Sequence, residues 1–208
     1  MMAANQKGHA PLARRGMAFA VDYMLLGVYA SALVALWQGV RHVGMDGWLE
    51  PVLADPVRGH LLGVFLLTLP VAMYHAVWEG SPVAGTPGKR LVGLVVHRPQ
   101  GGRIPLEAAT ARSLVKVVPL EGAHALFWWM PVWFGAHGIS VAGAAGLALL
   151  SFLAVSYLLA AALDPDGQGP HDRVAGSVVV RAPRRPHQVR GLDLIRNPLE
   201  LAATRETP

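Results

Sequence analysis

Gly138–Leu163 reads GISVAGAAGLALLSFLAVSYLLAAAL and holds no Asp, Glu, Lys or Arg. About 20 apolar residues in a helix cross the roughly 30 Å hydrocarbon core of a bilayer. A water-soluble helix of this length would need a polar face, and this one has none. The stretch reads as a membrane span. The rest of the composition agrees: 53% of the chain is apolar and 15% charged, against about 25% charged in an ordinary soluble domain. The chain has no cysteine, which excludes disulfides, thiolate metal sites and a cysteine nucleophile.

Three more apolar runs lie upstream. The spans predicted from hydropathy are residues 16–38, 61–79, 117–134 and 138–163. The third is the weakest, being short, proline-bearing and interrupted by Glu121. Positive charge orients the set, because cytoplasmic loops carry an excess of Lys and Arg. Lys7, Arg14 and Arg15 precede the first span, and only Arg41 and Arg58 lie between the first and second. Lys89, Arg90, Arg98, Arg103, Arg112 and Lys116 lie between the second and third. Seven arginines follow the fourth. With both termini cytoplasmic, sixteen of the eighteen bases lie inside. Anionic lipid headgroups then account for the net charge of +5, and a nucleic-acid partner is unnecessary. The expected fold is an all-α membrane protein with four transmembrane helices and cytoplasmic N- and C-termini, placed in the cell inner membrane as a multi-pass protein.

The cytoplasmic parts carry further structure. Arg90–His97, RLVGLVVH, and Ala175–Val180, AGSVVV, read as β-strands. Isolated strands are unstable, so the two are expected to pair. Leu106–Val118, with Glu107, Arg112 and Lys116 on its polar side, reads as an amphipathic helix lying in the interface. Residues 14–181 form the membrane domain, residues 1–13 an N-terminal cytoplasmic segment, and residues 182–208 a mobile basic tail.

GTPGKR, Gly85–Arg90, resembles a phosphate-binding loop only superficially. That loop requires G-x-x-x-x-G-K-[ST] between a strand and a helix. Here Val83 stands where the first glycine belongs, and Arg90 replaces the hydroxyl residue. No nucleotide is expected. Gly85, Pro87 and Gly88 turn the chain as it leaves the bilayer, with Lys89 and Arg90 at headgroup level.

Several blocks together resemble the RDD family of small bacterial membrane proteins. They are Arg15-x-x-Ala18-x-x-x-Asp22; Trp78-Glu79-Gly80 followed by Gly85–Val96; Gly102-Arg103 with the later Arg112; and His171–Val180. Their order and spacing carry the resemblance. The family is named for one arginine and two aspartates, which on this chain resemble Arg15, Asp22 and Asp172. Ser177 stands where the family usually has threonine. The resemblance implies transport, including cation–proton exchange for some members, as one function, and it gives a residue set more firmly than an activity.

Asp22 lies inside the first span, where a carboxylate costs a few kcal/mol unless it faces protein or water. Arg15 precedes it by about 10 Å of helix rise, a long reach for a direct pair. His75 and Glu79 are four residues apart on the second span, and Glu121 and His124 three apart on the third. Asp22, His75, Glu79, Glu121 and His124 are expected to meet at one depth. They hold the helices together, or line a cavity for a cation or protons, since histidine titrates near neutrality. In a third reading they bind a divalent metal through Glu121-x-x-His124. With no second copy of that motif, no metal is assigned. His171-Asp172 is expected to bond the Lys89/Arg90 turn and close the cytoplasmic end.

No serine sits in a nucleophile-elbow pattern, so neither enzymatic activity nor a cofactor is expected. Small residues at Gly16, Ala20, Gly27, Ser31 and Ala35 share one face of the first span, a pattern that permits close packing and a homo-oligomer. The functional expectation is transport of a small cation or solute, coupled to protons, with Asp22 as its site and Arg15 as electrostatic partner. The alternative is a non-transporting scaffold or assembly factor for a partner complex.

Overall fold

The structure is a computed structural model that describes residues 10–135 and 138–182. It is mostly helical. The helices are α1 (Leu12–His42), α2 (Glu50–Ala54), α3 (Pro56–Gly63), α4 (Leu69–Gly80), α5 (Pro87–Leu91), α6 (Leu106–Trp133), α7 (Val141–Leu163) and α8 (Pro170–Val174). A π-helical turn, Val64–Thr68, joins α3 to α4 in one continuous helix. The strands are β1 (Leu94–His97), β2 (Phe134–Gly135), β3 (Gly138–Ile139) and β4 (Val178–Arg181). The segments expected at residues 1–9 and 183–208 lie outside the described residues.

Among the described residues, three helices are long and apolar enough to cross a membrane: Leu12–His42, Pro56–Gly80 and Val141–Leu163. Their apolar surface points outward. In α7 the most apolar window has no buried residue, and Phe152 is 71% exposed. Such a surface is stable against acyl chains and not against water. The chain is membrane-embedded.

The predicted second span gains a turn at its start. Asp55 accepts the backbone N–H groups of Val57 and Arg58 at 2.9 Å each, and Pro56 occupies the first helical position. This is a strong N-cap followed by a residue whose missing N–H costs nothing there.

The expected interfacial helix is not separate. Residues 106–118 run without a break into the apolar segment, giving the 28-residue α6 with Pro119 and Pro131 inside it. Arg112 is 1% exposed and Ser113 fully buried, so this polar face looks into the protein rather than at headgroups. The bases find carboxylates there, which sequence periodicity does not reveal.

For two of the three prolines inside long helices, a neighbouring helix supplies the donor that the proline lacks. Pro119 has no N–H for Val115, and the Tyr157 hydroxyl of α7 donates to the Val115 carbonyl at 2.8 Å. Pro70 has none for Leu66, and the Tyr29 hydroxyl of α1 donates to the Leu66 carbonyl at 2.6 Å. An unsatisfied carbonyl in hydrocarbon costs several kcal/mol, so these bonds fix which helices meet.

The predicted strand pair forms. β1 and β4 are antiparallel, with Leu94 opposite Arg181 and His97 opposite Val178. The first strand is shorter than expected, because Pro87–Leu91 is helical. Thr86 caps that helix, with Pro87 next, and Gly93 at φ +68° ends it. The main apolar core packs around this ribbon: Ala18, Leu94, Val96, Ile104, Ala109 and Val179.

Candidate functional site

Asp22 lies on the buried side of α1, 2% exposed. Its carboxylate accepts three hydrogen bonds: from the Tyr74 hydroxyl at 2.8 Å, the Thr86 hydroxyl at 2.6 Å and the Gly88 N–H at 2.8 Å. GTPGKR is thus a receptor for the aspartate of α1. Thr86 and Gly88 hold the carboxylate, and a Cβ on Gly88 would overlap the Ala18 carbonyl and sit 2.8 Å from Asp22 Oδ1. Only glycine lets the turn come this close.

Lys89 in the same turn faces the other way. It is 8% exposed and donates to Glu79, so it does not reach headgroups as expected; Arg90 beside it is exposed. Burial brings the Lys89 ammonium down to about 7, against the opposing pull of the Glu79 carboxylate. Gly85 is buried, with its N–H on the Trp78 carbonyl at 3.1 Å.

Glu79, fully buried at the end of α4, also receives Arg112 and Lys116, the latter at 3.4 Å. His75, one turn back, lies 3.8 Å from Glu79 Oε1 and 3.1 Å from Lys116 Nζ. Arg112 spans two acids: its Nη1 reaches Glu79, while Nε reaches Asp172 Oδ1 at 3.1 Å. The planar guanidinium makes this possible, since it presents donors on two edges. Asp172 on α8 also accepts the Gly169 N–H at 3.1 Å. Burial would raise the Asp172 pKa, but Arg112, His171 and these hydrogen bonds outweigh it and hold the carboxyl well below its usual range.

Arg15 belongs to this cluster. It donates to the Gly167 carbonyl and to that of Val179 at 3.3 Å, and its Nη1 lies 3.9 Å from Asp172 Oδ2. The expected partnership of Arg15 with Asp22 is therefore corrected. Two turns of helix separate them, and each finds nearer partners on other elements. The expected bond of His171-Asp172 to the Lys89/Arg90 turn is also corrected: Asp172 pairs with Arg112 instead.

Glu121 and His124 do not join Asp22, His75 and Glu79. They form a second cluster about 13 Å along α6 from Arg112. Glu121 Oε1 lies 2.6 Å from His60 Nε2, Thr68 donates to Oε2, and His124 Nδ1 lies 3.4 Å from Oε2. Trp128 Nε1 donates to His124 Nε2 at 2.8 Å. The two rings of α6 fit because α3 offers glycines: a Cβ at Gly59 would overlap Trp128, and one at Gly63 would overlap His124. Gly59 and Gly63 thus make room for these side chains.

The contacts of α3 and α4 with α6 lie on one seam. Gly59, Gly63, Thr68, Ala72, His75 and Glu79 meet Trp128, His124, Glu121, Ser113, Lys116 and Arg112. The first set steps by four, five, four, three and four. The step of five falls on the π turn, whose Leu69 N–H bonds the Val64 carbonyl. Without that extra residue the stripe would rotate off α6 by about 100°; π turns recur at functional sites for this reason.

A family model described as RDD family matches residues 9–176. The chain belongs to the RDD family. No curated protein and no solved structure matches it. In this RDD protein the three positions that resemble the family's signature are buried or half-buried around the α5 turn and α8: Asp22 anchors the turn, while Arg15 and Asp172 meet beside Arg112. Sequence reasoning took Arg112 and Lys116 for interfacial bases and overlooked His60, Thr68 and Tyr74. A helix pattern that runs on past Lys116 into apolar sequence was the signal for the bases. The four-residue spacing of Gly59 and Gly63 around His60 was the signal for the second cluster.

Proposed function

We propose that this RDD protein is a multi-pass inner-membrane protein in which α6 also crosses the bilayer, with both termini cytoplasmic, and that it moves a small cation in exchange for protons. The observation that carries this reading is the polar seam between α3–α4 and α6. From Arg112 to His124 it places ionisable groups along about 18 Å of helix axis, more than half of a hydrocarbon core about 30 Å thick. Ionisable side chains at membrane depth face the interior and mark ion or proton paths. Lys116, His75, Glu121 and His124 are the groups through which protons would pass, and the Glu79–Arg112–Asp172 cluster closes the cytoplasmic end. The exposed small-residue face of α1 supports a homo-oligomer, and the outward apolar surfaces support lipid as the surrounding partner.

Asp22 favours the alternative, a non-transporting scaffold. Its carboxylate already accepts three donors, an arrangement suited to holding α1 on the turn and not to exchanging a cation. Purified protein reconstituted with an internal pH dye separates the two. Transport requires proton movement driven by a cation gradient, abolished in Glu121→Gln at equal protein content. Absence of flux with monovalent and divalent cations alike, together with co-purification of a stoichiometric partner, selects the scaffold.

A further inference from the structure

We propose that His60, Glu121 and His124 form a binding site for one divalent transition-metal ion of the zinc class, tying α3 to α6. This inference does not depend on transport, because binding is an equilibrium property of the protein in detergent.

One ligand atom from each of the three residues lies within 4.8 Å of the others. Ligand atoms around a tetrahedral zinc, bound at about 2.1 Å, stand roughly 3.4 Å apart. Closing the gap takes a shift of about an ångström, within reach of side-chain torsions. Two imidazoles and one carboxylate are the donor set of a three-ligand zinc site that keeps a fourth position open. Glu121 and His124 are three residues apart on one helix, so α6 delivers both from a single face, and His60 completes the set from α3.

The surroundings separate this cluster from the one at Glu79. Glu79 is fully buried and neutralised by Arg112, Lys89 and Lys116. Glu121 is 29% exposed, and among the described residues its side-chain partners are the two histidines and Thr68. A carboxylate beside a buried arginine is committed to an ion pair. A carboxylate between two imidazoles, reachable from outside, retains its charge for a cation. Thr68 donates to the same carboxylate, the kind of supporting hydrogen bond that orients metal ligands.

Trp128 makes binding observable. Its indole N–H bonds His124 Nε2 at 2.8 Å, so Nε2 carries the lone pair and Nδ1, facing Glu121, carries the proton. Nε2 is also packed against Gly63, which leaves Nδ1 as the ligand atom. A metal on Nδ1 displaces that proton. The neutral ring then carries its hydrogen on Nε2, and the Trp128 bond is lost. Binding therefore moves the ring hydrogen from Nδ1 to Nε2, with no net proton loss from His124, and frees the indole.

The test uses the full chain purified in detergent, treated with a chelator and titrated with Co²⁺ and then Zn²⁺. The expected result is one Co²⁺ per chain with the intense visible bands of a tetrahedral site, displaced by Zn²⁺. A change in tryptophan fluorescence should accompany binding and disappear in Trp128→Phe, although five other tryptophans remain of the six. Trp128→Phe should still bind, and more tightly, since no indole bond competes. Glu121→Gln can keep the Thr68 hydrogen bond and should preserve helix content while lowering affinity at least about 10-fold; His60→Ala and His124→Ala should do the same. Weak, pale octahedral Co²⁺ in the wild type would overturn the proposal. So would unchanged stoichiometry and affinity in a folded Glu121→Gln protein.

Discussion

The Gly88 N–H points at Asp22 Oδ1 from 2.8 Å, and with the Thr86 hydroxyl it seats the Gly85–Arg90 turn on the first membrane helix. It requires the absence of a side chain at position 88. Gly88→Ala should therefore destabilise the protein by about 1–3 kcal/mol, the usual cost of overpacking, read as a lower unfolding temperature in detergent. Gly16→Ala is the control. Nothing lies within 4 Å of a Cβ there, so the substitution should raise stability by about 0.5–1 kcal/mol through helix propensity.

Arg112 connects Glu79 to Asp172. Replacing it with Met leaves two buried carboxylates facing each other, and the expected loss is about 3–5 kcal/mol. Arg112→Lys should recover only part of this, because an ammonium cannot span both acids. Adding Asp172→Asn to Arg112→Met should restore part of the stability relative to the single variant, because Glu79 keeps Lys89 and Lys116 while Asp172 loses its main partner. Thermal unfolding of the four proteins measures the coupling.

The tyrosine–proline pairs make a prediction with an internal control. Tyr157→Phe removes the donor to Val115, and Tyr29→Phe the donor to Leu66. Each should cost about 0.6–1.7 kcal/mol, the range of hydrogen bonds between membrane helices. Pro119→Ala restores a backbone N–H for Val115, so Tyr157→Phe should cost less in that background. Equal costs in both backgrounds would show that the tyrosine acts through packing alone.

Acid should loosen the α8 end. Burial, with Arg112 nearby, pushes His171 down to about 3 from an ordinary value of about 6.5, and Asp172 is held below its ordinary range. Both folded pKa values are depressed. Their stabilisation is complete above about pH 6.5 and drains away as pH falls, first through His171 and then through Asp172. The unfolding temperature should drop between pH 7 and pH 4. His171→Gln should flatten the upper part of that fall and leave the part due to Asp172.

Much of the site was legible in the chain, but as separate pieces. Asp22 was readable as a buried acid because it interrupts an apolar run, and GTPGKR as a non-nucleotide turn because Val83 and Arg90 break the phosphate-loop pattern. Their union was not readable, since 64 residues of separation hide a bond between Asp22 and Thr86. Arg112 was misread for a related reason. On its own helix it marks a polar stripe, and a stripe facing headgroups looks the same in sequence as one facing Glu79.

The sequence by itself determined the membrane character, the apolar helices, the strand pair and the family, because each depends on residues adjacent along the chain or on an ordered set of motifs. The tertiary structure alone decided who meets whom. Helix rotation sets those partnerships, and one extra residue in the π turn at Val64–Thr68 keeps both Thr68 and Gly63 facing α6. Hydropathy does not register such a turn, yet it is what brings His60 and Thr68 to Glu121, and Gly63 to His124.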